Sequence, residues 1–312
     1  MNKYDKEIEQ VALNNEKEIL KQLEKIYVQA LADIKKKIAD LINRDEELTR
    51  SVIYQLEYQN RLEKQLNAII EVLKQDNIVN IKSYLFKMYE DGFIGTLYNL
   101  DKQGIKMIVP LNQRQILKVI EKPIDDMTFA QRIGSNMKEF KEKVKNEVSR
   151  GLSSNRNYQE ISQMLSIKTQ ESLNKSYRIA RTEGHRVQNE SKIDSMQEVK
   201  NRGADIVKQW DSTLDSHTRE SHQKVDGEIR ELNEKFSNGL MYPGDSNGGA
   251  SEVCNCRCTM LQRARWAVKN DVKLDKIDNQ MSFKKNGNVN IIKAKNYDEY
   301  KKQYFSFIQN NV

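Results

Sequence analysis

The stretch EVCNCRCTM, residues 252–260, holds every cysteine of a 312-residue chain: Cys254, Cys256 and Cys258. The three histidines, His185, His217 and His222, lie upstream, so all six Cys and His residues fall between positions 185 and 258. A soft tetrahedral ion such as zinc takes four nitrogen or sulfur ligands. Side chains two apart on a strand share a face. On a flat strand their Cα atoms stand about 6.6–6.8 Å apart, too far for ligands of one ion. The thiols can therefore converge only if the chain bends, and the loop SNGLMYPGDSNGGAS just before them gives it room to do so.

On this reading His217 and His222, on a facing β-like segment, complete a structural zinc site with Cys254, Cys256 and Cys258. His185 lies on a helix and reads as a surface or packing residue. Two alternatives stay open: buried thiols without metal, and a redox disulfide. The odd number of thiols and the strained C-x-C loop work against the disulfide, while C-x-C is not the usual C-x₂-C metal spacing. Arg257 points away from the thiols on an extended chain, towards a carboxylate such as Asp215 or Asp211.

Nothing else in the chain assembles a reaction centre. G-x-S-x-G, P-loop, H-E-x-x-H and kinase-type motifs are absent from the sequence. Arg181 and His185 in RTEGH are four apart and adjacent on a helix, which reads as a surface pair rather than an acid/base site. The dense carboxylates Asp211, Asp215, Asp226 and Glu228 are the one set from which a metal-dependent nuclease could be built. The expectation is that the chain is not an enzyme.

These residues need a frame. Charged residues make up 31% of the chain and aromatic residues 7%, with three prolines and a net charge of +7. That composition suits long helices. No apolar run of about 18 residues is present, so no transmembrane helix is expected, and the first ten residues show no secretory core. Ile19, Leu23, Ile26, Ala30, Ile34, Ile38 and Leu41 recur at steps of three and four, which predicts a helix over 5–44. Leu62, Leu66, Ile69 and Leu73 mark a second helix, and 78–100, 113–121, 127–148 and 158–201 (in two segments) read as further helices. Gly203 is placed to stop the last one. Short β-like stretches follow, with Asp226-Gly227 as a hairpin signal, and Trp210 and Trp266 are expected in a small core.

The fold class expected is mainly α: an elongated helical N-terminal domain (1–157), then a small α+β domain (158–266) with a short antiparallel sheet and the Cys/His cluster, then a basic tail (267–312). Residues 138–186 carry eleven basic against six acidic side chains, and 261–312 eleven against five. Both are candidate phosphate-contacting regions, although no individual DNA-binding residue can be named.

In order along the chain, IARTEGHRVQNESKIDSM, QWDSTLDSHTRESHQKVDGEI, LMYPGD and NCRCTM resemble the Mu F-like minor head proteins of tailed bacteriophages, the phage head morphogenesis family, over roughly residues 130–262. The resemblance rests on Ala180, Arg181, Thr182, Glu183, Trp210, Asp215, Thr218, His222, Gly227, Pro243, Gly244, Cys256, Arg257 and Cys258. It departs at His217, where the family has arginine, and at Cys254, so only His222, Cys256 and Cys258 carry over as shared ligand candidates. The resemblance implies a virion protein inside the capsid, made in the host cytoplasm and assisting head assembly or DNA ejection. Its implied partners are the portal protein, double-stranded DNA without sequence preference, and scaffold or capsid protein, with no membrane. A DNA-acting enzyme and a cytoplasmic zinc-binding adaptor are the competing readings.

Overall fold

The computed structural model describes residues 1–44, 56–154, 156–269 and 292–311. Five long or medium helices come first: α1 (Lys3–Arg44), α2 (Leu56–Lys102), α3 (Gln113–Ile120), α4 (Phe129–Ser153) and α5 (Tyr158–Asn201). A mixed region follows: β1 (Ile206–Asp211), α6 (Glu220–Gln223), β2 (Ile229–Arg230), α7 (Gly249–Val253), β3 (Thr259–Ala264) and α8 (Arg265–Lys269). The last element is α9 (Tyr297–Asn311). The fold is mainly α with one small antiparallel sheet, in the order β2-β1-β3. Among the described residues no helix is long and apolar enough to cross a membrane.

Contacts divide the chain into two compact units. A helical unit comprises 17–83 and 127–180; a sheet unit comprises 1–16, 84–126 and 181–312. In the helical unit the apolar stripe forms as its period demands. Ile19, Leu23, Ala30, Ile34 and Ile38 on α1 and Leu62, Leu66 and Leu73 on α2 are buried. Two positions shift by one. Tyr27 and Ile70 are buried, whereas Ile26 and Ile69 are half-buried, because a straight helix drifts relative to a strict three-four count. Leu41 lies outside the residues whose side chains are described. Tyr27 carries the unit's main buried polar network: its hydroxyl meets Ser176 Oγ at 2.8 Å, and Asn136 Nδ2 donates to the Ser172 carbonyl at 2.9 Å. Lysines 141, 143, 145, 168 and 175, expected as phosphate contacts, each hold a glutamate: Glu63, Glu139 or Glu171.

Several predicted breaks are absent. Residues 78–100 continue α2 and 158–201 is one helix, whereas α4 runs past 148 only to Ser153 before α5 starts at Tyr158. Gly203 does stop α5: it has φ +95°, and the Ala204 amide reaches back to Val199 O.

In the sheet unit β1 pairs with β3 over its full length, Trp210 opposite Met260 and Asp211 opposite Thr259. Asp226-Gly227 does not close a two-residue hairpin. It turns the chain out of α6 into the short β2, with Gly227 N bonded to Trp210 O and Trp210 N to Glu228 O, both 2.9 Å. Trp210 is fully buried with Val225, Phe236 and Leu240, whereas Trp266 is half-buried. Within the stretch read as a basic tail, α9 buries Tyr297, Tyr300 and Tyr304 on one face, two of them against Tyr98.

Candidate metal centre

Three side chains from two segments meet beneath Trp210. His222, on α6, turns Nδ1 to within 3.5 Å of both Cys256 Sγ and Cys258 Sγ. All three are buried, and their ligand atoms lie within 4.8 Å of one another. Among the described residues this is the one group of three or more His, Cys, Asp or Glu donors close enough for an ion.

The bend comes from one residue. Cys254 caps α7, and Asn255 then takes φ +55°, a left-handed conformation that asparagine tolerates better than most residues. This reversal sends Cys256 and Cys258 inward and leaves Cys254 outside the group. Cys254 is half-buried, and its carbonyl accepts from Arg219 at 2.7 Å. His217 is also outside. It sits exposed in a turn where its own amide donates to Asp215 Oδ1, and it lies on neither a strand nor α6. The sequence-predicted set of five thus separates into three that converge and two that do not.

The histidine is oriented from behind. Its Nε2 donates to Glu252 Oε2 at 2.8 Å, and the Trp210 ring stands edge-on to it with centroids 5.2 Å apart. Glu252 lies on α7, 30 residues from His222, so no local spacing pointed to it. The Cys256 thiol donates to the Cys258 sulfur, which holds Cys258 well below the ordinary thiol range and pushes Cys256 up. The thiolate is the form that ligates metals and attacks electrophiles.

Helix α5 supplies the frame. Thr182, His185, Asn189 and Lys192 are spaced three, four and three residues apart, which places them on one face. Asn255 N donates to Thr182 Oγ1 at 3.4 Å, His185 Nε2 donates to the Cys258 carbonyl, Met260 N donates to Asn189 Oδ1 at 2.9 Å, and Lys192 Nζ donates to Thr259 Oγ1. One polar ladder therefore holds the chain from 255 to 260. His185, expected at the surface or in packing, is part of it. Burial lowers its pKa to about 4, so it stays neutral.

The other motif residues fall around this frame. Arg181 pairs with Glu16 at 2.9 Å rather than with His185. Glu183 forms a fully buried ion pair with Arg186. Gly244, after the buried Pro243, has φ +84°, and a Cβ there would come within 3.1 Å of His185 and 3.2 Å of the α5 backbone. Arg257 clasps Asp215 with two bonds of 2.6 and 2.7 Å, and Thr218 Oγ1 meets the same carboxylate at 3.2 Å. The dense carboxylates do not gather. Asp211 pairs with the N-terminal amine, Asp226 accepts from Ser212 N, and Glu228 holds Arg230 and Ser237.

A family model described as Phage Mu protein F like protein matches residues 142–261, the span that holds the ladder, the sheet and the thiols. Residues 142–261 belong to the Phage Mu protein F like family. The minor head protein GP7 of Bacillus phage SPP1 is 25% identical over 295 residues, covering 91% of this chain and 92% of that protein. A protein of Enterococcus faecalis (strain ATCC 700802 / V583) named NAD(+)--arginine ADP-ribosyltransferase EFV is 31% identical over 304 residues. That alignment takes in 96% of this chain, which spans 60% of the relative's length. No solved structure matches.

Proposed function

We propose that this chain is a minor head protein of a tailed phage, resident in the capsid and bound to the portal. The observation that carries the reading is the near end-to-end match to the SPP1 minor head protein, 91% of one chain against 92% of the other. The architecture supports it: long helices with exposed polar faces, a Mu F-like region, and carboxylates tied to neighbours rather than gathered. The helical unit offers the protein-binding surface. Contact with double-stranded DNA is non-specific and weak, because many lysines of 138–175 must first leave their glutamate partners. Its affinity falls steeply with salt.

Mass spectrometry of purified particles and co-purification with the portal protein of the same phage test the reading. Recovery in DNA-filled heads together with portal supports it; absence from particles of the phage that encodes it contradicts it. The relative named for ADP-ribosyl transfer favours a second reading, an enzyme. Incubation with NAD⁺ and an arginine-bearing protein acceptor separates the two, since a head component leaves the acceptor unmodified.

A further inference from the structure

We propose that His222 Nδ1, Cys256 Sγ and Cys258 Sγ ligate one zinc ion, with Glu252 as the carboxylate that orients the histidine. The proposal stands on geometry. Around a tetrahedral zinc with Zn–S of about 2.3 Å and Zn–N of about 2.0–2.1 Å, nitrogen and sulfur ligands lie about 3.5–3.6 Å apart. His222 Nδ1 lies 3.5 Å from each sulfur. The imidazole therefore already occupies the edge lengths of such a polyhedron with both thiols at once.

Proton positions point the same way. Glu252 Oε2, 2.8 Å from Nε2, needs a hydrogen on that nitrogen. With that hydrogen on Nε2, Nδ1 is the ring nitrogen left to ligate, and it faces the two sulfurs. One ion placed between them satisfies the imidazole nitrogen and both sulfurs together. A carboxylate behind a ligating histidine is the usual outer partner in zinc sites. The remaining supports act on the ligand backbone: His185 on the Cys258 carbonyl, Thr182 on the Asn255 amide, and the left-handed turn at Asn255.

The surroundings make the ion structural. Cys256 and Cys258 are buried with Trp210, Val225, Phe236 and Leu240. Among the described residues no fourth His, Cys, Asp or Glu joins the group. Ser212 Oγ, 3.7 Å from Cys258 Sγ, is placed to supply the fourth ligand or to hold a water there. The ion would join the loop after β1, helix α6 and the segment before β3, three pieces separated by ten to thirty-six residues. Neither His217 nor Cys254 takes part.

The full chain, expressed without a histidine tag and purified under reducing conditions, decides the matter by elemental analysis. One zinc per chain is expected. Zinc below about a tenth of an equivalent in a folded protein that also fails to take up added zinc overturns the site. After chelation, added Co²⁺ should give the near-ultraviolet thiolate charge-transfer bands of a two-sulfur site, and their absence equally contradicts the assignment. Because Cys258→Ser alone could prevent folding, milder variants carry the comparison. Glu252→Gln keeps all three ligands and should weaken zinc about 10–100-fold. Cys254→Ser and His217→Ala should leave affinity and stoichiometry unchanged; loss of the ion in either would show that the ligand set is wrong. All readouts come from the isolated chain, so the site can fail while the virion assignment stands, and the reverse.

Discussion

The helical unit and the sheet unit are stabilised in different ways. The helical unit buries a repeating apolar stripe, Leu23, Ile34, Ile38 and Leu66 among its members, and admits one hydroxyl network at Tyr27. The sheet unit buries charge and soft donors: Arg186 with Glu183, Lys208, His222 and two thiols. In the first, each contact resembles its neighbours. In the second, each buried polar group depends on a few specific partners. Deletions should therefore invert between the two, with apolar deletions costing most in the helical unit and polar ones in the sheet unit.

The largest effect expected from a single polar change is Arg186→Met. It leaves the fully buried Glu183 without its guanidinium and should cost about 3–5 kcal/mol in a denaturant melt. Adding Glu183→Leu should recover much of that loss; if the double variant is as unstable as the single, the pair is not the cause. Leu23→Ala in the helical unit should cost about 2–5 kcal/mol, because it opens a cavity in a close-packed stripe. Tyr27→Phe, its polar counterpart, should cost only about 1 kcal/mol. A larger loss for Tyr27→Phe than for Leu23→Ala would break the contrast.

Lys208 sharpens it through pH. Its Nζ donates to Met241 O at 2.8 Å and Leu232 O at 3.3 Å, 5.0 Å from the centre of the Phe236 ring. Burial pushes its pKa down to about 8. Between about 8 and the ordinary value of 10.5 the unfolded chain binds a proton there that the folded chain does not. The contribution of this group to stability must then rise with pH across that window. Stability curves at several pH values should show that slope for the wild type, and Lys208→Met should flatten it. The smallest effect belongs to Asp215→Asn. Arg257 holds this carboxylate well below its usual pKa, yet the pair is exposed, so the change in Tm should be slight and should vanish at high salt.

The same contrast explains what could be read without coordinates. The helical stripe was legible because its period is fixed, and the misplacement of Ile26 and Ile69 by one residue is the drift of 3.6 against a counted pattern. Helix ends were less legible: the helix expected over 127–148 runs on to Ser153, and the two segments expected within 158–201 are one helix. Cys256, Cys258 and His222 stood out through rarity and order, but their separation from Cys254 and His217 depended on the φ of Asn255 and on a four-residue helix, neither of which leaves a periodic trace. The ladder Thr182, His185, Asn189, Lys192 had a helical spacing open to view. Polar residues on a helix are ordinarily assigned to solvent, whereas these meet the segment leading into β3 and its first two residues. Tyr297, Tyr300 and Tyr304 also carried a three-four spacing inside a lysine-rich stretch. Glu252 had no local signal at all.

Hydrogen exchange by mass spectrometry, on the untagged chain with and without a zinc chelator, tests the division most directly. Peptides spanning 206–264 should lose protection when zinc is withdrawn, while peptides from 17–38 and 62–83 should exchange as before. Unchanged protection across 206–264, or an equal loss in both regions, would contradict the account.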